Sequence, residues 1–351
     1  MKVIKPSTMT EALLISSSLV ETPPAAYAGG TTYALAATVS VAGAAGLVVV
    51  YESLQVSNTG HTPASSPTWW KNIGETYQLY SAFTAYALGD RVLDVTTHTI
   101  YESVVASNLG NALSDLLKWF PYSPSNKWAM FDGQVSNIST APSSITVTIS
   151  TGFLDAVALI GTSADMAYVT VRDGLGGTII YDNTINLAGA PVTDWYDYFF
   201  SDPLARTNQV VFQGIPPFLN SHLTVTLTGG GLVSLGELIY GKASDIGMTQ
   251  YSPSIGIVDY SRKDTDIYGK TTFVKRAFKK RLNTRLVIDN LQLNRIQRLL
   301  YDLRATPCVW IGTDASGYDE ALLLYAFYKD FSMEIAYPTT SFCSLELEGL
   351  I

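Results

Sequence analysis

The chain has 351 residues, 47% hydrophobic and only 15% charged, with a net charge of −8. That length suggests roughly two to four domains. The apolar content excludes global disorder, and the acidic balance argues against nucleic acid as the main partner. Twenty-one Tyr and 27 Gly, with many Thr, Ser and Val, favour strands and turns over helices.

The N-terminus reads MKVIKPSTMTEALLISSSLVETPP. Its apolar patch, Ala12 to Ile15, is short, follows Glu11 and lacks a cleavage site, so no signal peptide is expected. Residues 1–25 read as a segment that docks on a neighbour or on another domain.

Residues 33–53, YALAATVSVAGAAGLVVVYES, carry no charge before Glu52 and raise the possibility of a membrane helix. A repeat argues against it. Tyr51-Glu52-Ser53 matches Tyr101-Glu102-Ser103, Ser57-Asn58 matches Ser107-Asn108, and Gly60 matches Gly110. Trp69-Trp70 matches Trp119-Phe120 at the same offset of fifty, while Tyr33-Ala34-Leu35 and Tyr86-Ala87-Leu88 are 53 apart. The first copy therefore holds three extra residues before its Tyr-Glu-Ser. The second copy carries Asp90, Arg91, Asp94 and His98, which no shared membrane helix would tolerate. Val48 to Tyr51 reads as a strand after an Ala42–Gly46 turn. The copies are expected at residues 26–78 and 79–127.

Asn126-Lys-Trp-Ala-Met-Phe-Asp132 opens a region of short strands, at 144–150, 156–160, 167–172, 178–181, 209–212 and 223–228, punctuated by Gly174, Gly176-Gly177 and Gly229–Gly231. That spacing predicts a jelly-roll-like β-sandwich over residues 128–245. Within it, Asp194-Trp-Tyr-Asp-Tyr-Phe-Phe reads as a loop that packs its rings into the sandwich, with a glycan groove as the alternative.

Residues 246–351 read as an α+β unit. Twelve of the 22 Lys and Arg fall within 262–304. This basic run reads as salt-bridging an acidic neighbour, or as a solvated strand face, in preference to a nucleic-acid contact. Asp289 is the expected N-cap of a helix from Asn290 to Arg304 with Leu293, Ile296, Leu299, Leu300 and Leu303 inward, stopped before Pro307. Strands are predicted at 284–288, 308–311, 321–331, 333–335 and 343–347. Cys308 and Cys343 read as buried free thiols.

No catalytic motif stands out. The three histidines, His61, His98 and His222, are scattered, and no HExxH, GxSxG or phosphate-binding pattern occurs. The chain is expected not to be an enzyme and to need no metal or cofactor.

Tyr86, Gly89-Asp90, Val92, Tyr101, Asn108, Gly110 and Trp119 resemble the pattern of small chitin-binding-type carbohydrate-binding modules, families 5 and 12. The first copy keeps Tyr33, Tyr51, Asn58, Gly60, Pro63 and Trp69-Trp70 but lacks Gly-Asp-x-Val. The resemblance implies that rings stack on sugars, with Tyr33, Tyr51, Trp69, Trp70, Tyr86, Tyr101, Trp119 and Phe120 as candidates; a spacer or docking role is the alternative. The strand Val233 to Gly241 resembles, weakly, the last strand of galactose-binding-like sandwiches.

The order of parts, with MKVIKPSTMT, YALGDRV, YES and NKWAMFD, resembles tail-tip or baseplate proteins of long-tailed bacteriophages, distal-tail-like in architecture. That resemblance implies a mainly β structural protein of the virion tail tip, with a tail-tube-like C-terminal α+β domain. It implies a homo-oligomeric ring, a hexamer or trimer, touching the tail tube, the baseplate hub and host-surface glycans, with no nucleic acid and no membrane span. The alternative is a dedicated glycan-binding receptor-recognition protein.

Overall fold

A computed structural model describes residues 1–189, 194–200, 206–313 and 321–350. The chain is mainly β, and the strand ladders among the described residues are antiparallel. Residues 33–53 form the strands Thr38–Ala42 and Leu47–Ser53. No described helix is long and apolar enough to cross a membrane.

The repeats fold alike. Copy one is a three-stranded sheet, Thr38–Ala42, Leu47–Ser53 and Trp70–Tyr77; copy two is Arg91–Asp94, Thr99–Ser103 and Trp119–Pro124. The third strand carries one extra residue opposite the central strand in each copy, Ile73 facing the Val50/Tyr51 step and Tyr122 facing the Ile100/Tyr101 step. Asn58 Nδ2 donates to Ser53 Oγ and Asn108 Nδ2 to Ser103 Oγ, both at 3.0 Å. These buried amides satisfy the loop that follows each Tyr-Glu-Ser, which explains why Ser and Asn recur at fixed spacing.

The three extra residues of copy one lengthen its hairpin, and the tip then reaches copy two. Arg91 N donates to Ala45 O at 3.0 Å, and Gln78 N to Gly46 O at 3.0 Å. Gly46 has φ +79°, and a Cβ there would lie 2.1 Å from Arg91 O. Gly46→Ala is expected to cost at least 1–3 kcal/mol from the left-handed backbone alone and to part the copies. A lowered unfolding temperature with increased cleavage around residues 78–80 would register both effects.

The sandwich has two facing sheets. One runs Ile179–Asn186, Met166–Asp173, Ser221–Leu235, Ser139–Ser150 and Leu14–Ser17; the other runs Gln209–Gln213, Ala156–Ile160 and Glu237–Gly241. Period-two alternation sends Ile145, Val147, Ile149, Val169, Leu223 and Val225 inward against Val157, Leu159, Phe212 and Leu238. Gly229–Gly231, expected as a turn, instead sits inside the long strand Ser221–Leu235, where the register shifts between Thr228 and Leu232. Small residues without bulky side chains accommodate such an irregularity.

The three-stranded sheet is buried on both faces. Its outer residues Ala156, Ala158, Ile160 and Ile239 pack against Ile4, Val309, Ile311, Leu323 and Tyr325 of the C-terminal sheet. Its central strand Ala156–Ile160 and its edge strand Glu237–Gly241 are accordingly buried at every position. The layers therefore stack as five strands, three strands, C-terminal sheet and helix, with continuous cores between them.

The C-terminal sheet runs Ala243–Asp245, Lys2–Ile4, Cys308–Ile311, Leu323–Glu334, Thr340–Gly349, Phe278–Asp289 and Met248–Thr249. Its first and last members are consecutive in the chain, separated by Ile246 and Gly247. The sheet thus curls until one kinked segment joins its two edges. Gly247 makes the kink: φ is +122°, and a Cβ would meet Val287 O at 2.6 Å. Inside lie Val3, Leu286, Cys308, Trp310, Leu324, Cys343 and Leu345, covered by Ile296 and Leu300 of the helix Leu293–Asp302 and by its C-cap Leu303. Asp289 caps the preceding 3-10 turn, its Oδ1 accepting from Leu291 N at 2.9 Å. Both thiols are free and buried, and burial pushes Cys308 up to about 12 and Cys343 up to about 11.

The N-terminal segment belongs to both large sheets. Val3 pairs with Ser244 and Trp310, while Leu14–Ser17 pairs with Ser139–Ser150 at the edge of the five-stranded sheet. Ala243–Asp245, on the sandwich side of the expected boundary at 245, joins the C-terminal sheet.

Candidate glycan-contact site

Each repeat is built around a triad of aromatic rings. Tyr80 and Tyr86 stack at 6.3 Å between centroids, and Trp119 meets both edge-on at 5.8 and 5.3 Å. Tyr27, Tyr33 and Trp70 repeat the arrangement at 5.8, 5.9 and 5.2 Å. Trp119 Nε1 donates to Asn111 O at 3.0 Å and Trp70 Nε1 to His61 O at 2.7 Å. Ser81 N donates to the Tyr86 hydroxyl and Ala28 N to that of Tyr33, each at 2.8 Å.

This geometry corrects the sequence reading at two points. Ser53 pairs with Trp70 and Ser103 with Trp119, so Trp119 corresponds to Trp70 and not to Trp69. Secondly, Trp119, Trp70 and Tyr86 are buried. In a module this small the large rings supply the core, and a covered ring has no face to offer a sugar. Tyr33, Tyr51 and Tyr101 are half-buried, and Tyr101 packs against the Val92–Trp119 core. Trp69, also half-buried, stacks on His61 with centroids 3.8 Å apart.

Phe120 alone of the eight candidates is exposed, at 54%. Ladder register sets Arg91 opposite Glu102 and Glu102 opposite Phe120, so the three form a row across one face of copy two. Arg91 Nε donates to Glu102 Oε2 at 2.9 Å. The Arg91 guanidinium lies 3.5 Å from the centroid of exposed Tyr122. The hydrogen bonds to Tyr77 and Glu102 hold the guanidinium above its ordinary pKa despite its partial burial. In copy one the same row is Thr38, Glu52 and Lys71. An aromatic face beside a paired cation and carboxylate can desolvate the C–H face of a pyranose while bonding its hydroxyls.

Sequence reasoning missed Tyr27, Tyr80, Arg91, Glu102 and Tyr122. Tyr27 and Tyr80 were findable, because they share the 53-residue offset of Tyr33 and Tyr86. Arg91 and Tyr122 have no counterparts in copy one and carried no repeat signal. Trp195, Tyr196 and Phe199, expected to pack into the sandwich, lie instead on the short helix Trp195–Phe200 and are largely exposed.

A polar node fixes the repeats to the body. Glu21 Oε1 accepts from Ser125 Oγ at 2.7 Å and lies 2.9 Å from His98 Nδ1; Oε2 is 3.9 Å from Lys127 Nζ. The Thr76 hydroxyl donates to the Glu21 carbonyl. Thr76 and Ser125 occupy matching places in the two copies, six residues beyond Trp70 and Trp119, so one residue of the N-terminal segment holds both. His98 also stacks on Trp128, centroids 4.1 Å apart. Trp128 meets Phe131 edge-on at 5.9 Å, and Met130 between them in sequence is fully buried in the sandwich core. Glu21→Ala is expected to cost about 1–3 kcal/mol, the penalty of stranding buried donors. Limited proteolysis should show faster cleavage between residues 121 and 127 in that variant.

No protein-family model matches the chain, and no curated protein matches it.

Proposed function

We propose that the chain is a non-enzymatic structural subunit of the tail tip or baseplate of a long-tailed bacteriophage. It would form part of an oligomeric ring or collar, the two carbohydrate-binding-like modules facing outward. On this reading the eight sandwich strands are jelly-roll-like, and the curled C-terminal sheet with its helix is the tail-tube-like ring former. The observation that carries the reading is the continuity of construction. Two modules are bolted through Glu21 to a body whose three sheets share cores, an arrangement suited to bearing load and making contacts. The resemblance of MKVIKPSTMT, YALGDRV and NKWAMFD to tail-tip proteins supplies the location.

The test is imaging of intact particles with a subunit-specific antibody. Label at the tail end supports the proposal; label along the capsid rejects it.

A dedicated glycan-binding role is the second reading, favoured by the half-buried Arg91–Glu102 pair in a row with exposed Phe120, and by exposed Tyr122 beside it. A glycan array separates the two: a monomer that binds sugar, and loses binding on Phe120→Ala or Tyr122→Ala, supports recognition as the main task.

A further inference from the structure

We propose that residues 254–281 form an arm by which the chain binds a second copy of itself. The inference rests on the scaffold reading above and names its interface. Strand Ser254–Asp259 pairs with the N-terminal half of Phe278–Asp289, from Ser254 with Asn283 to Asp259 with Phe278. Beyond it, Arg262–Thr265 and Thr271–Val274 make a ribbon of only two strands. None of residues 250–281 enters a hydrophobic core of the described structure. A two-stranded ribbon without a core is marginal in water and needs a covering surface.

The arm is nonetheless apolar. Ile255, Ile257, Tyr260 and Phe273 are exposed along it, and at its tip Ile267 and Tyr268 are 92% and 89% exposed. Such a concentration marks a contact surface. Strand Ser254–Asp259 pairs on one side only among the described residues, leaving an edge open for a further strand.

Charge identifies the occupant. Residues 254–281 hold eight Lys and Arg against three Asp, a net of +5; the rest of the chain holds 14 against 27, a net of −13. Arm and body of the same protein are therefore electrostatically complementary. Because the donor and acceptor surfaces differ, the contact is head-to-tail, the kind that generates rings when the rotation closes.

Tyr260 N donates to Ala277 O at 3.2 Å, so the base of the arm is already closed. Residues 261–276 can be replaced by an Asn-Gly turn without disturbing a core. Mass in solution is then measured by light scattering for the full chain and the shortened chain. It is measured at low ionic strength and at about 1 M salt, where the Debye length falls to about 3 Å. The full chain should be a multimer at low salt and lose mass at high salt; the shortened chain should be monomeric with an unchanged circular dichroism spectrum. Ile267→Ser with Tyr268→Ser, both at the exposed tip, should reproduce the loss without any question of folding. A shortened or doubly substituted chain that assembles like the full one overturns the inference and leaves the tail-tip reading standing, since particle labelling tests that separately. A full chain that stays monomeric at low salt, with or without captured nucleic acid, also overturns it.

Discussion

Replacing Glu237 by Gln should stabilise the protein at pH 7 by about 3 kcal/mol. Glu237 opens a strand buried at every position and is itself 3% exposed. Burial, with the Asp132 carboxyl beside it, pushes its pKa from 4.5 up to about 9, against the opposing pull of the Gly133 and Gln134 backbone. Asp132 is tied down by Gln134 N at 2.7 Å and Asn137 Nδ2 at 2.5 Å. The folded chain thus carries Glu237 neutral at pH 7, whereas the unfolded chain ionises it. For a group whose pKa is raised on folding, the stabilising contribution is complete below the unfolded value. It falls as pH climbs, and is lost once pH passes the folded value. The window here runs from about 4.5 to about 9. At about 1.36 kcal/mol per pH unit, the group has forfeited about 3 kcal/mol at pH 7 and roughly twice that above pH 9. Gln keeps the shape and the donor but does not ionise. Denaturant unfolding at several pH values should therefore show the two chains equal near pH 4 and diverging upward. Parallel curves across that range would mean that Glu237 is ionised in the folded protein.

Trp119→Ala should unfold the second repeat, at a cost of about 3–5 kcal/mol for a large ring removed from a core. Trp119 is 0% exposed, supports Tyr80 and Tyr86, and pairs at Ser103. Its neighbour Phe120 points the other way, so Phe120→Ala should change stability by less than about 0.5 kcal/mol. Near-ultraviolet dichroism and amide hydrogen exchange across residues 79–127 distinguish these outcomes. If Trp119→Ala leaves the exchange pattern intact, the triad is not the core of the module. Trp70→Ala should behave like Trp119→Ala and unlike Trp69→Ala.

The elements that the sequence discloses are those with a local signature. The sandwich strands announced themselves by alternation, the helix by Asp289 and its leucine face, and the repeats by constant spacing. The Trp register slipped because one additional residue lies between Ser53 and Trp70, and the adjacent Trp69 disguised it. Lys2–Ile4 was illegible as a strand, because three residues carry no periodicity and both partner strands begin beyond residue 242. Stacking candidates were chosen by residue type; type alone does not distinguish a ring that holds a module together from one that faces outward. Glu237 drew no reading from the sequence, since nothing local reveals that a third layer will cover its strand. The Gly247 kink that links the first and last strands of the C-terminal sheet depends on Val287, forty residues onward, and so is likewise a tertiary matter.

The placement of Lys2–Ile4 between Ala243–Asp245 and Cys308–Ile311 governs how the molecule is made. Lys2–Ile4 finds its first partner only once residue 245 has emerged from the ribosome, and its second only after residue 311. The last sheet therefore cannot mature early, and closing so long a loop is slow. The repeats and much of the sandwich can condense during synthesis; the final layer snaps shut only after nearly all of the chain is present. Until then its apolar strands need shielding from one another, which makes the yield of this protein sensitive to crowding by its own nascent copies.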